Sequence, residues 1–154
     1  MIDADLLRGM AEEEGEGVLA LGTRTLLAAG QELFHLGDAA DCIYLVARGC
    51  LRLTLPMDVR HHEENVFVEE RSTGQTVGWS ALIPPYRFTL TAAAPLESEV
   101  IALSREALMA HFAAHPGTGY AVSLNLASVI GQRLQLFQAM WLREIQRMVE
   151  TRRA

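Results

Sequence analysis

From Val18 to Leu103 the chain alternates short apolar segments with glycine turns, and beyond Ser104 the apolar spacing lengthens to that of helices. Residues 23–27 read as a strand, Gly30 as a turn and residues 31–34 as a second strand, with another turn at Gly37-Asp38. Residues 42–47 are apolar and β-branched or aromatic enough for a buried strand, closed by Arg48-Gly49. Leu51, Leu53 and Leu55 alternate with Arg52 and Thr54, the period of a half-buried strand that Pro56 is expected to end. The polar segment 57–65, with His61-His62, is expected to be a hairpin loop. Alternation resumes at 66–71, Ser72-Thr73-Gly74 turns, and residues 75–77, 88–92 and 99–103 complete the strands. Many short strands at regular spacing indicate an all-β barrel or double-sheet roll.

Ser104 suits a helix N-cap, and residues 106–114 read as a short helix stopped by Pro116-Gly117. From Tyr120 to about Val149 a single long helix is expected. Its apolar residues Ile130, Leu134, Phe137, Trp141, Ile145 and Met148 fall on one stripe at the helical period. A stripe with two large aromatics needs a covering partner, so a dimer through this helix is expected. At the other end, Asp5 to Met10 could form a helical turn, and Glu12 to Gly17 reads as flexible and acidic. The division is an acidic lead-in over residues 1–17, a β domain over 18–119 and a long helix over 120–154.

Composition changes this picture little. Half of the 154 residues are apolar and 21% are charged, which suits one packed domain. No apolar run reaches membrane-spanning length, and the acidic N-terminus is unlike a secretory signal, so a cytoplasmic location is expected. Residues 1–120 carry eight Arg against seventeen acids, whereas residues 121–154 carry five Arg against two. The acidic body repels nucleic acid, and arginines near the end of a helix complement its dipole. Cys42 and Cys50 fit no metal or redox spacing and read as unpaired thiols.

The run Gly30-Gln31-Glu32-Leu33-Phe34, then Gly37-Asp38 through Cys42-Ile43-Tyr44-Leu45-Val46, then Gly49-Cys50-Leu51-Arg52-Leu53, resembles the first half of the cyclic nucleotide-binding domain family. This family includes the sensor domains of catabolite-activator-type regulators. The likeness continues through Gly74, Val77-Gly78 and Arg87 to the terminal helices, covering about Val18 to Val149. It implies a mainly β fold with α: a double-stranded β-helix, or jelly-roll-like β-roll, of eight strands with short helices and a long C-terminal helix that commonly pairs two copies. It also implies a phosphate-binding cassette, in which a Gly-Glu-x-Ala-Leu run is followed by an Arg and a small residue. The Glu holds the ribose hydroxyl, and the Arg pairs with the cyclic phosphate at a short helix.

The corresponding segment here is Gly78-Trp79-Ser80-Ala81-Leu82, followed by Arg87-Phe88-Thr89. Gly78, Ala81, Leu82 and Arg87 fit the pattern. Trp79 stands where the Glu is expected and has no acceptor for a hydroxyl proton. Phe88 stands where a small residue is expected. On the long helix, Arg133-Leu134-Gln135 is followed by Leu136-Phe137-Gln138, placing Phe137 where activator-type members put a hydroxyl. Loss of the ribose acceptor costs about 1–3 kcal/mol, so ordinary binding of cAMP or cGMP is disfavoured and no cofactor is expected. Trp79 is expected either to take up ribose volume or to fill the pocket; Arg87 either awaits an anion or salt-bridges to Glu97 or Glu99.

His61-His62 beside Glu63-Glu64 could suggest a metal or haem ligand, but adjacent strand residues point to opposite faces, and a solvated loop tip is expected instead. Ser104, His111 and His115 make no catalytic constellation, so no enzyme and no metal site are expected. Regulators resembling this chain append about 70 residues of winged helix-turn-helix; ending at Ala154, a full-length chain is expected to make no direct nucleic-acid contact. The expectation is a non-enzymatic sensory or regulatory module with a degenerate cassette taking a small anionic or planar ligand, with Trp79 and Phe137 stacking and Arg87 supplying charge. The alternatives are the cAMP sensor of a truncated transcription regulator, or a protein-interaction module with a self-filled pocket.

Overall fold

The computed structural model describes residues 3–153. Eight strands form two four-stranded antiparallel sheets: β1 (Thr23–Leu27), β8 (Ser98–Ser104), β3 (Cys42–Arg48) and β6 (Thr76–Val77) in that order, and β2 (Glu32–Phe34), β7 (Thr91–Ala93), β4 (Cys50–Val59) and β5 (His62–Ser72) in the other. The inner faces meet in one core that includes Ile43, Leu45, Leu51, Leu53, Val100 and Leu103, all essentially inaccessible. Alternation in β4 puts Leu51 and Leu53 inside and Arg52 outside, as the period of two requires. Three helices flank the roll: α1 (Glu12–Leu19), α2 (Arg105–Ala114) and α3 (Pro116–Arg153). The jelly-roll architecture with a long terminal helix is thus present as expected.

Several local expectations fail for identifiable reasons. Pro56 does not end β4, which stays paired with β5 from Cys50↔Ser72 to Val59↔His62. β7 accompanies β4 only from Arg52 to Thr54. Beyond it β4 is an edge, where a proline lacking its N–H is tolerated. The loop expected over 57–65 shrinks to Arg60-His61, both with positive φ (52° and 69°), the tight hairpin turn that matches strand twist. Pro116-Gly117 does not separate two helices by a loop; Pro116 is the first residue of α3, where its missing N–H has no partner to lose. Residues 88–90 are not a strand; pairing there begins at Thr91.

The acidic stretch expected to be flexible is α1, and the boundary placed at Val18 falls inside it. Three glutamates in its first turn complement the helix dipole, and Val18 is fully buried. The residues before α1 are also anchored. Asp5 N–H donates to the Gly74 carbonyl at 2.9 Å, and the Asp5 carboxylate accepts from the Thr76 amide and hydroxyl. Asn125 of α3 donates to the carbonyls of Leu6 and Arg8, both at 2.9 Å.

The buried row of α3 is Thr118, Val122, Leu126, Val129 and Arg133. Among the described residues none beyond Arg133 is buried, so about 20 residues, some 30 Å of helix, project past the roll. Among the described residues no helix is long and apolar enough to cross a membrane.

Candidate functional site

The cassette is built around Gly78. Its φ of +81° is a left-handed conformation, and a Cβ there would lie 3.1 Å from the Phe88 ring and 3.3 Å from Tyr44. Glycine therefore lets the chain turn against two aromatic rings. A single 3-10 turn, Trp79–Leu82, follows, with Ser80 and Ala81 buried. Arg105 clamps this turn: its Nη1 donates to the carbonyls of Ala81 at 2.9 Å and Ala40 at 2.7 Å. The same guanidinium lies 4.0 Å over the Tyr86 ring and meets Asp41.

Between cassette and α3 lies a cleft lined by Phe34, Leu53, Gly78, Trp79, Ser80, Phe88, Thr89, Leu90 and Arg133. Its free volume is about 10 Å³, the space one water needs and far below the several hundred Å³ of a small-molecule pocket. Phe34 and Phe88 close it. Their rings stack with centroids 3.7 Å apart and planes 8° from parallel, and Tyr44 lies against Phe34 at 5.9 Å. Phe88, where a small residue was expected, is thus the residue that takes up the space.

The cleft brings together Gly78, Trp79, Ser80, Phe88 and Thr89 from the residues singled out in the sequence. It leaves out four. Ala81 is in the core. Leu82 lines a separate apolar groove of about 490 Å³ against α2 and α3. Arg87 is exposed, with its Nη1 donating to the Gly37 carbonyl at 2.9 Å. It makes no bridge to Glu97 or Glu99, which are held by Arg48 at 3.0 Å and Arg24 at 2.8 Å. Phe137 sits on α3 one turn beyond Arg133, 38% exposed and not among the cleft's lining residues. Trp79 is half-buried and contributes to the wall, so it does not plug the pocket alone.

Two features of the site escaped the sequence reading. Arg133, noted there only as part of an Arg-Leu-Gln run, reaches the cleft and contacts Glu69 of β5, which also meets Arg71 at 3.5 Å. A carboxylate therefore does stand at the edge of the cleft, delivered by a strand rather than by the cassette. Desolvation holds the Arg133 guanidinium below its ordinary pKa, against the opposing pull of Glu69. Arg105 was also missed. An arginine at the first position of a helix opposes the dipole, a sign that its charge serves something outside that helix.

Elsewhere, His61 and His62 sit on the exposed hairpin, one in the turn and one opposite Val59. Cys50 is buried and Cys42 partly so, and both are free thiols. The apolar stripe of α3 is exposed at Leu134, Phe137, Trp141 and Met148, while Ile130 already packs partly on the core.

The comparisons with known proteins agree with this architecture. The family model for the cyclic nucleotide-binding domain matches residues 24–115, more than half of the chain. The cyclic AMP receptor protein of Thermus thermophilus is 30% identical over 140 residues, covering 88% of this chain and 59% of its own length. This chain therefore spans a little over half of that relative. The crystal structure of the Thermus thermophilus catabolite activator protein superposes with a TM-score of 0.76 at 27% identity, over 93% of this chain and 63% of the other. The N-terminal domain of a transcriptional regulator from Streptomyces coelicolor gives a TM-score of 0.71 at 23% identity, over 83% and 89% of the two chains, a likeness of fold alone. The roll, its left-handed glycine turns, the cassette and the long helix together place this chain in the cyclic nucleotide-binding domain family.

Proposed function

We propose that this chain is a non-enzymatic regulatory module, dimeric through α3, whose cassette does not take cAMP or cGMP in the usual way. The observation that carries the reading is the closed cleft: about 10 Å³ remains between cassette and helix, with the Phe34–Phe88 stack inside it. Admitting a nucleotide requires unstacking two buried rings, and such aromatic pairs contribute about 0.5–1.5 kcal/mol beyond their burial. It also requires a ribose acceptor, and the cassette offers Trp79 instead. Arg87, the family's phosphate partner, is turned onto the Gly37 carbonyl.

Isothermal titration with cAMP and with cGMP tests this. No saturable heat at millimolar ligand is expected; micromolar binding of either would overturn the reading in favour of a cyclic-nucleotide sensor. That second reading has one observation on its side, because Glu69 places a carboxylate beside the cleft.

The dimer rests on the projecting half of α3. Its apolar row lies one residue, about 100° around the helix, from the row that faces the roll. Trp141 is 67% exposed and Leu134 57%. A continuous aromatic and aliphatic stripe of this length is uncommon on a monomer's surface, and a second copy of the same helix covers it in register.

A further inference from the structure

We infer that the cluster formed by Arg71, Glu69 and Arg133 at the edge of the cleft is a binding site for one compact monovalent anion, of the size of a halide, distinct from the position of Arg87. The cluster joins β5 to α3. The side chains of Arg71 and Arg133 are 7% and 8% exposed, and that of Glu69 is 14% exposed. Two guanidiniums thus face one carboxylate, leaving a buried charge of +1. The neighbouring acid, Glu70, points to the other face of β5 and pairs outside with Arg52 at 3.3 Å. Burying an unneutralised charge costs several kcal/mol after relaxation, so the cluster is incomplete as a closed ion pair.

The hydrogen-bonding count points the same way. Arg133 Nε is buried without a hydrogen-bond partner, whereas Arg71 Nε and Arg133 Nη2 lie against Glu69 Oε1, none of these three atoms making an aligned hydrogen bond. Arginine cannot shed its proton to escape this, so its donors need an acceptor. Of the three side chains only Arg133 lines the cleft, whose free volume of about 10 Å³ adjoins Ser80 and Thr89. That volume selects the ligand class. It suits a single-atom species better than a phosphate or a carboxylate-bearing metabolite. A water fills the space equally well but leaves the charge uncompensated, whereas a halide neutralises it and accepts several charge-assisted bonds. Glu69 acts as a tethered competitor, taking part of the donor capacity that the anion uses.

The inference rests on the closed cleft, since an open one would admit the anionic part of a larger ligand to Arg133. The test is thermal unfolding of the full chain in sodium chloride against sodium gluconate at equal ionic strength, with bromide as a second probe. A ligand that binds only the native state raises the midpoint with its concentration. The midpoint is expected to rise with chloride over gluconate in the parent. In Arg133→Gln, which makes the cluster neutral, the difference is expected to vanish. In Glu69→Gln, which raises its charge to +2, the apparent affinity for chloride is expected to increase by about threefold or more. Equal midpoints in chloride and gluconate for the parent, or an undiminished chloride effect in Arg133→Gln, would overturn the site. Should the variants not fold, crystals of the parent grown in bromide decide it. An anomalous peak within hydrogen-bonding reach of Arg133 Nε supports the site, and its absence at saturating bromide overturns it. Micromolar cyclic-nucleotide binding in the separate titration would remove the closed-cleft reading instead, so the two failures are distinguishable.

Discussion

Trp79 departs from the family's cassette most visibly, yet the space in the pocket is taken by Phe88, stacked on Phe34. Both residues stand out in the sequence as departures. Their division of labour does not, because a ring's packing partner lies on a strand far away in the chain. The same holds for Glu69 and Arg133, which meet across the roll although neither belongs to the cassette. At this scale a prediction concerns Cys42, the more accessible of two free thiols. Burial pushes its pKa above the ordinary thiol range, with Asp41 adding in the same direction and Arg105 partly opposing. A raised pKa leaves less thiolate at any given pH. Iodoacetamide labelling followed by mass spectrometry is therefore expected to show Cys42 reacting more slowly than a free thiol peptide at pH 8. The rate should climb still further above pH 9, while Cys50 stays unlabelled in the native state. Labelling at the peptide's rate at pH 8 would contradict the burial.

The strands of the roll were legible because alternation in β4 and the turns at Gly37, Gly49 and Gly74 follow from local rules. Boundaries set by tertiary context were not. Pro56 reads locally as a stop, and only the absence of β7 beyond Thr54 makes the strand an edge that tolerates it. The acidic run of α1 reads as flexible from composition, although acids in a first turn favour a helix once Val18 has a core to enter. The most consequential contact between elements is Arg105, which ties the start of α2 to the cassette turn and to the chain before β3. Replacing it with Met removes charge-assisted bonds to two carbonyls, each worth about 1.5–3 kcal/mol when lost from a protected site, discounted because the side chain is about a third exposed. Arg105→Met is expected to lower stability in urea unfolding by about 1–2 kcal/mol. Hydrogen exchange should speed up over residues 79–87 more than in β3. Uniform exchange across both segments would show that the clamp is not local.

At the scale of the whole molecule, the last buried residue of α3 is Arg133, and among the described residues none buries the helix beyond it. Its periodicity alone announced the exposed stripe, including Trp141 and Met148, and the structure keeps those residues in solvent. Sedimentation is expected to show a dimer for the parent at micromolar concentration and a monomer for Trp141→Glu. A parent that is monomeric at that concentration would contradict the pairing of α3. The closed cleft has the most direct measurement of all, a crystal structure of the parent grown with millimolar cAMP. A closed cleft predicts Phe34 and Phe88 still stacked, Arg87 still on the Gly37 carbonyl and no purine density between cassette and α3. A ribose-phosphate seated at Arg87, with Phe88 rotated away and Glu69 drawn to the sugar, would contradict it.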